Sequence, residues 1–207
     1  VKGVRYSACC NLPLAEISAR LEMPKSTTHA ILRSLIAEGL IEKIGGEAYA
    51  LGTGILALSQ SVRVNVEFRD RAAPHVRALA DKVAESVYLT FREGDRILYI
   101  YAVESSRRLI ARTAVGDRMP MHCTGVGKAM LAFAPQELVD EVLRAGLARR
   151  APRTIIAPGL LSAELERIHE RGVAYEREES GIGVTCVAAP VLDADGHAVA
   201  ALSITGW

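Results

Sequence analysis

A short segment near the start of the chain concentrates side chains that can bind nucleic acid. Its apolar residues follow helical spacing and form one stripe, which consists of Ile31, Leu32, Leu35 and Ile36. At about 100° per residue, the other faces of this helix carry a set of small and polar residues: Lys25, Ser26, Thr27, His29, Ala30 and Arg33. Because hydroxyl and guanidinium groups contact phosphates and base edges, this set is a candidate DNA-reading surface. An ordinary solvated helix face is the alternative.

A second candidate site is the glycine-bearing segment Thr124-Gly125-Val126-Gly127-Lys128-Ala129. It partly matches a phosphate-binding loop, but His122 and Ala129 stand where that motif needs Gly and Ser or Thr, so nucleotide triphosphate binding is excluded. A helix that starts here still presents free N–H groups and the positive end of its dipole, which suits a carboxylate at Gly125 and Val126. The alternative is that both glycines serve only close packing.

A third candidate site lies near the end of the chain. Ser203 and Thr205 alternate along one predicted strand and therefore share a face, and Cys186 lies in the adjoining strand of a hairpin. A half-buried sheet face with small side chains is the alternative. His122, Cys123 and Cys186 lack regular metal-ligand spacing, so we expect buried thiols and neither a metal nor another cofactor. The sequence also lacks the GxSxG, HExxH and complete GxGxxG signatures of common enzymes.

The first candidate surface requires a frame that two helices and a hairpin can supply. Helical spacing covers Leu14–Leu21 and about 25–38, and strand-like runs cover 40–44 and 47–51. Pro13 suits the first position of the first helix, Gly39 ends the second, and the paired glycines at 45 and 46 indicate a tight hairpin. A hairpin directly after the second helix is typical of a winged helix-turn-helix, whose wing, with Lys43, lies beside the bound groove.

The rest of the chain is built differently. Helical patterns at 55–66 and 68–83 link the two halves, and we place the domains at 1–66 and 67–207. The later elements are predicted as strands at 86–92, 96–103 and 109–114, helices at 125–133, 135–145 and 162–171, and strands at 173–178, 185–192 and 198–205. This order predicts an α+β domain with a mainly antiparallel sheet.

Composition narrows the class of protein. The 207 residues are 50% hydrophobic with four cysteines and a formal net charge of +1, so the chain can bury a core but is not a disulfide scaffold. Residues 1–66 carry seven Lys and Arg against five Glu, whereas residues 67–207 carry 18 basic and 19 acidic side chains. The small excess has the right sign for nucleic-acid binding by the first domain. Without a long apolar run or a signal-peptide core, we expect a soluble cytoplasmic protein that does not contact membranes.

Motifs along nearly the whole chain match one family. In the first domain these motifs are Leu12-Pro13-Leu14-Ala15-Glu16-Ile17, Met23-Pro24-Lys25-Ser26-Thr27-Thr28-His29, Glu38-Gly39-Leu40-Ile41 and Tyr49-Ala50-Leu51-Gly52. In the second they include Val103-Glu104-Ser105, Met119-Pro120-Met121-His122-Cys123-Thr124-Gly125, Ala151-Pro152-Arg153-Thr154-Ile155, Gly183-Val184-Thr185-Cys186 and Ala201-Leu202-Ser203-Ile204-Thr205-Gly206. The chain therefore resembles the IclR family of bacterial transcriptional regulators.

The resemblance implies a winged helix-turn-helix, a linker helix and a C-terminal GAF-like or profilin-like domain that binds an effector. The expected pocket combines polar residues implied by the resemblance with apolar lining, and consists of Ala111, Met119, Gly125, Val126, Glu176, Val184, Cys186, Ser203 and Thr205. Ala30 departs from the Arg that usually follows the recognition-helix His, and the wing, with Glu42 and Glu47, is poor in Arg. We therefore expect fewer phosphate contacts and a weaker dependence on salt. Glu176 stands where the family commonly has Asp, and the segment before Asn11 departs from the family's first helix.

These patterns lead to one expected function and two alternatives. We expect a regulator, most simply a repressor, that binds double-stranded operator DNA as a homodimer or homotetramer and responds to a small organic acid in the second domain. The alternatives are an enzyme that turns over a small acid in that domain and an interaction module whose winged helix binds protein. The expected interface between copies is an apolar stripe of Ile55, Leu58, Val62 and Val66.

Overall fold

The computed structural model describes residues 11–61, 66–105 and 115–206. The chain divides into two compact units, Val1–Glu67 and Phe68–Trp207. The predicted strand at 109–114 and the segment before Asn11 lie outside the described residues. Within the described ranges, no helix is both long and apolar enough to cross a membrane.

The described part of the first unit holds a pair of helices, a hairpin and a further helix. Its elements are β1 (Leu12–Pro13), α1 (Leu14–Leu21), α2 (Lys25–Ala37), β2 (Ile41–Ile44), β3 (Ala48–Leu51) and α3 (Gly54–Ser61). β3 pairs antiparallel with both β1 and β2, and the predicted hairpin thus follows α2 directly. The prediction that Pro13 is the first helical residue is wrong. Its extended conformation, with a ψ of 154°, places it before the helix and pairs it with Ala48.

The turn between α1 and α2 is held by two side-chain hydroxyls. Glu22 ends α1 in the left-handed region, with a φ of 53°, and Pro24 precedes the first residue of α2. The hydroxyl of Ser18 donates to the carbonyl of Met23 at 2.5 Å, and that of Thr28 donates to the carbonyl of Pro24 at 3.0 Å. Because these bonds connect each helix to the turn, they restrict the angle at which α2 leaves α1.

The buried face of α2 is narrower than the predicted apolar stripe. Thr28 and Leu32 are one turn apart and only 1% and 5% exposed. Ile31 is 44% exposed within this unit, so its assignment to the inner stripe is wrong. The reason is geometric, because neighbouring residues on a helix differ by about 100° and a face centred on Thr28 and Leu32 leaves Ile31 at its edge.

Three glycines let the end of the hairpin and the start of α3 approach the end of α2 closely. The N–H of Gly54 donates to the carbonyl of Gly39 at 2.9 Å, and a Cβ atom at Gly52 would lie 2.3 Å from the same oxygen. Gly39 itself has a φ of 68°, a left-handed conformation that favours glycine at a helix end. This close approach of backbones determines where the hairpin lies relative to α2.

The second unit is a six-stranded sheet with helices on both faces. Its elements, beginning with a helix that starts just before the unit, are α4 (Val66–Val83), β4 (Ser86–Glu93), β5 (Arg96–Val103), β6 (Arg118–Pro120), α5 (Gly125–Leu131), α6 (Gln136–Ala145), α7 (Pro158–Arg171), β7 (Ala174–Arg177), β8 (Thr185–Leu192) and β9 (Ala198–Gly206). The strand order is β6-β5-β4-β9-β8-β7, and every neighbouring pair is antiparallel. The predicted α+β architecture with a mainly antiparallel sheet is confirmed, although β6 was not predicted. The helix predicted at 55–66 overlaps α3 as far as Ser61, residues 62–65 lie outside the described residues, and Val66 belongs to α4.

The two faces of the sheet are covered by different helices. On one face Val76 and Ala80 of α4 pack against Val87, Leu89 and Ala200 of the strands. On the other face α5, α6 and α7 enclose the larger core. All seven residues of α5 are buried. Polar groups beside α5 must therefore find partners inside the unit, and this requirement shapes the site described next.

Candidate functional site

The predicted DNA-reading residues of α2 all lie at the surface of the first unit. The exposed set consists of Lys25, Ser26, Thr27, His29, Ala30 and Arg33. Thr28, in the middle of this run, is buried instead, and its hydroxyl is bonded within the turn. The helix can therefore present donors and acceptors to a groove without losing its own packing.

Lys43, the predicted contact on the wing, is exposed as well. It pairs with Tyr49 across β2 and β3, and its Nζ atom lies 5.8 Å from the centre of the Tyr49 ring. The tyrosine is only 6% exposed, so the ring gives the lysine side chain a fixed surface to lie against. A cation held in this way is suited to a phosphate contact.

The polar residues predicted for the effector site meet on the α5 side of the six-stranded sheet. The strand register pairs Glu176 with Cys186 and Cys186 with Thr205, which forms a row across β7, β8 and β9. Ser203 lies two residues from Thr205 and therefore on the same face of β9. A Cβ atom at Gly125 would lie 2.5 Å from Cys186 Sγ, so the start of α5 lies directly over this row.

Both glycines of α5 are required by close packing. Gly125 leaves room for Cys186, and a Cβ atom at Gly127 would lie 2.3 Å from the carbonyl oxygen of Met121. Thr124 caps the helix, because its Oγ1 accepts a hydrogen bond from the Gly127 N–H at 3.2 Å. Close packing, which the sequence left open as an alternative, thus explains both glycines without a ligand.

A carboxylate of the chain itself occupies the start of α5. Glu176 Oε2 accepts a hydrogen bond from the Gly125 N–H at 3.0 Å and lies 3.5 Å from the Cys186 thiol. Glu176 Oε1 accepts from the Ser180 N–H at 3.0 Å and from the Ser180 hydroxyl. The Gly125 amide, which we expected to bind an effector carboxylate, is therefore already bonded. The neighbouring amide of Val126 donates to no atom in the described part of the chain.

A buried ion pair between α5 and the end of β7 was missed by the sequence analysis. Lys128 is 1% exposed, and its Nζ lies 2.6 Å from Glu179 Oε1 and 2.9 Å from the carbonyl oxygen of Tyr175. The hydroxyl of Thr154 donates to the Glu179 carbonyl at 2.6 Å. Burial raises the pKa of Glu179, although Lys128 opposes this shift. The available signal was a lysine in an otherwise apolar helix, since a buried charge requires a partner.

The thiols of this region are suited to hydrogen bonding and not to nucleophilic attack. Burial, followed by the nearby Glu176 carboxylate, raises the pKa of Cys186, and the same two causes raise the pKa of Cys123 to about 12. Burial also lowers the pKa of His122, whose Nε2 lies 3.0 Å from the carbonyl oxygen of Ala148. Among the described residues, no group of three or more His, Cys, Asp and Glu side chains is arranged to hold a metal ion.

The four apolar residues predicted for the pocket have different environments. Val126 is 1% exposed, and Met119 is partly buried in β6 opposite Ile97, a core residue on the α5 side of the sheet. Val184 is partly buried at the end of the loop between β7 and β8. Ala111 lies outside the described residues. Val126 and Met119 thus supply apolar surface on the α5 side.

Two tyrosines on the α5 side of the sheet were also missed. Tyr88 lies on β4 opposite Ser203, and the centre of its ring is 5.7 Å from that of Tyr99 on β5 in an edge-to-face arrangement. Burial raises the pKa of Tyr99, and the nearby Cys186 and Glu176 raise it further. The phenol of Tyr99 therefore lies within electrostatic range of the row that faces Gly125. No motif marks either tyrosine, and the alternation of β4 was the available signal for Tyr88.

Comparison with protein families accounts for both units. Residues 60–207 match the family described as the bacterial transcriptional regulator IclR C-terminal domain, and residues 10–45 match the IclR helix-turn-helix domain. The HTH-type transcriptional regulator BhcR of Paracoccus denitrificans is 33% identical over 204 residues, which span 94% of this chain and 71% of that protein. The DNA-binding transcriptional repressor YiaJ of Escherichia coli is 31% identical over 198 residues, which span 93% of this chain and 70% of that protein.

Solved structures show the same architecture. The IclR protein of Thermotoga maritima superposes with a TM-score of 0.81 at 29% identity, over 96% of this chain and 81% of that one. An IclR homologue from Microbacterium hydrocarbonoxydans, crystallised in complex with 4-hydroxybenzoate, gives a TM-score of 0.84 at 25% identity, over 94% of this chain and 81% of that one.

Proposed function

This chain belongs to the IclR family of bacterial transcriptional regulators, and on that premise we propose that it is a repressor whose operator binding is controlled by a small organic acid. The observation that carries the proposal is the exposed polar face of α2, followed directly by a hairpin wing. The second unit supplies a separate set of polar groups beside α5 where a ligand binds. Ligand binding shifts the population between DNA-competent and DNA-incompetent forms of the protein.

On the DNA side, α2 enters a major groove and the wing contacts the backbone beside it. The guanidinium of Arg33 makes a bidentate contact to guanine, while Ser26 and Thr27, at the start of the helix, contact phosphates or base edges. Lys43, held against Tyr49, contacts a phosphate beside the groove. The exposure of all four side chains supports this arrangement.

On the effector side, the ligand binds between α5 and the sheet, next to Cys186, Ser203 and Thr205. Their common face supports this location. The relative that was crystallised with 4-hydroxybenzoate supports an organic acid as the class of ligand. Ligand pockets combine apolar lining with a few polar groups that orient the ligand, and Val126 and Met119 provide such lining. The ligand class that follows is a small organic acid.

Two or four copies of the chain assemble on paired half-sites, because one helix with little positive charge makes too small a contact for tight specific binding. The proposed contact includes α3, whose Leu56 and Leu58 are 64% and 55% exposed. Of the predicted stripe, the side chains of Val62 and Val66 lie outside the description. Sedimentation that shows a monomer, with and without DNA, would rule the assembly out.

The test of DNA reading is operator binding by Arg33→Ala. The operator is first selected from random duplexes with the wild-type protein, and affinities are then measured by fluorescence anisotropy. If Arg33 contacts a guanine, its loss costs about 1–3 kcal/mol and relaxes specificity at that base. Arg144→Ala, an exposed arginine on α6, is the charge-matched control and leaves affinity unchanged. Equal affinity and specificity in wild type and Arg33→Ala would show that α2 is not the reader.

A binding protein and an enzyme differ in what happens to the ligand. An acid that raises the melting temperature of the protein by binding the folded state is incubated with it and recovered. A regulator returns the acid unchanged after prolonged incubation, whereas turnover would favour an enzyme. Chromatography of the recovered acid distinguishes the two.

A further inference from the structure

Two buried hydroxyls on the α5 side of the sheet make no hydrogen bond within the described part of the chain. Tyr99 is 8% exposed and Ser203 is 4% exposed. The only fully enclosed side-chain oxygen without a partner among the described residues is Glu179 Oε2, so both hydroxyl oxygens retain accessible surface. Buried polar groups are rarely left without a partner, because an unmade hydrogen bond costs free energy. Both hydroxyls are therefore available to a bound molecule.

The two hydroxyls belong to side chains that both neighbour Tyr88. Tyr88 connects them, because it pairs with Ser203 across β4 and β9 and its ring contacts that of Tyr99 edge to face. Tyr99 also lies within electrostatic range of Cys186 and Glu176, which form the row under α5. The pKa of Tyr99 is raised chiefly by burial, so its hydroxyl keeps its proton and remains a hydrogen-bond donor.

At the end of the site beside the start of α5, the protein already carries two carboxylates, those of Glu176 and Glu179. The carboxylate of Glu176 accepts hydrogen bonds from the Gly125 amide, the Cys186 thiol and both the amide and the hydroxyl of Ser180. Each of its two oxygens thus accepts two hydrogen bonds. Glu179 lies three residues further along and shares a buried environment with one lysine, Lys128. A carboxylate of a ligand is repelled at this end and attracted to neutral donors at the other.

We infer that the hydroxyl of Tyr99 binds the effector, as a specificity-determining donor to a carboxylate or carbonyl oxygen of the ligand. Ser203 donates beside it, while Glu176 remains on Gly125 and acts as a built-in anion. The site therefore selects ligands with a single carboxylate against dicarboxylates, whose second charge approaches Glu176. This inference rests on the proposed function, since it assumes that an organic acid binds between α5 and the sheet.

The experiment uses the full chain and matched pairs of probes. Acetate and malonate form one pair, benzoate and terephthalate the other, and binding is measured by calorimetry. We expect at least one monocarboxylate to bind and its dicarboxylate partner to bind at least tenfold more weakly. Tyr99→Phe weakens the binding of the monocarboxylate by about tenfold to a hundredfold, as expected for the loss of a hydrogen bond to a charged group.

The matched control is Tyr101→Phe. Tyr101 lies two residues away on the same strand, but its hydroxyl accepts a hydrogen bond from Arg77 Nε at 2.7 Å on the opposite side of the sheet. Removal of the Tyr101 hydroxyl leaves the affinity for the probes unchanged. Without a ligand, Tyr99→Phe melts at the wild-type temperature or above, because the fold loses no hydrogen bond. A purely structural role for the Tyr99 hydroxyl would lower that melting temperature and would overturn the inference.

The remaining outcomes separate the inference from the proposed function. If a monocarboxylate binds wild type and Tyr99→Phe equally, the inference fails and the organic-acid site stands. The same holds if the dicarboxylate of a pair binds as tightly as its monocarboxylate. If none of the probes binds the wild-type protein at millimolar concentration, the inference and the effector part of the proposed function both fail, whereas DNA binding is judged by Arg33→Ala alone.

Discussion

Polar side chains serve both candidate binding surfaces, but at opposite levels of burial. On α2 the side chains of Ser26 and Arg33 are exposed, whereas beside α5 those of Lys128, Glu176 and Ser203 are 1%, 3% and 4% exposed. A polar group at the surface exchanges a ligand for water, while a buried one needs a partner within the protein. The α2 face can therefore change without harm to the fold, whereas the site beside α5 also contributes to the stability of the second unit.

The largest effect on stability is expected from Lys128→Met. This change leaves the Glu179 carboxylate buried without its cation, which typically costs about 3–5 kcal/mol. Urea unfolding followed by circular dichroism measures the loss. The loss becomes smaller as the pH falls, because burial raises the pKa of Glu179 and a protonated carboxyl needs no counter-charge.

Two further variants test whether the missing partner is the cause. Lys82→Met removes an exposed lysine from the last turn of α4 and changes stability by less than about 0.5 kcal/mol. Lys128→Met combined with Glu179→Leu removes both charges and recovers most of the loss. A Lys128→Met variant as stable as Lys82→Met would mean that the buried pair does not support the second unit.

An intermediate effect is expected from Gly125→Ala, which adds a methyl group 2.5 Å from Cys186 Sγ. Overpacking of this kind costs about 1–3 kcal/mol, because the start of α5 must move away from the sheet. The combined variant Gly125→Ala and Cys186→Ala relieves the clash. In a double-mutant cycle, this variant therefore loses less stability than the sum of the losses of the two single variants. Gly159→Ala, which adds a methyl group with no neighbour within 4 Å, is the control. Equal stabilities of the two alanine variants would contradict the close packing of α5.

The smallest effect on stability is expected at the DNA-reading face. Arg33→Ala changes the free energy of unfolding by less than about 0.5 kcal/mol, because the side chain is exposed, although the same variant loses operator affinity. Thermal unfolding of this variant beside wild type provides the measurement. A loss of several kcal/mol would remove the contrast between the two surfaces.

The winged helix could be predicted almost completely because its signals are local. Helical spacing located α1 and α2, and the glycines at 45 and 46 located the hairpin. The errors were also local: Pro13 belongs to a strand, and Ile31 lies at the edge of the buried face. Pro13 pairs with Ala48 of β3, whereas Ile31 is exposed because the buried face of α2 is centred on Thr28 and Leu32.

For the candidate site beside α5, the sequence anticipated which residues lie together but not the hydrogen bonds between them. Gly125, Glu176, Cys186, Ser203 and Thr205 were all named from the sequence, and the structure places them on one side of the sheet. Their hydrogen bonds could not be foreseen, because Glu176 and Gly125 are 51 residues apart. Only the pairing of β7 with β8 brings the carboxylate under the start of α5.

The sequence by itself determined most of the helices and strands, except β1 and β6, and it determined the family, since periodicity and motifs are properties of neighbouring residues. Strict alternation along β5 would place Tyr99 and Tyr101, two residues apart, on one face of the sheet. The tertiary structure alone decided otherwise. Between Leu89 and Thr90 of β4 the register shifts, and Ile100 is the extra residue opposite them. A bulge of one residue reverses the alternation, so Tyr99 faces α5 while Tyr101 contacts Arg77 of α4.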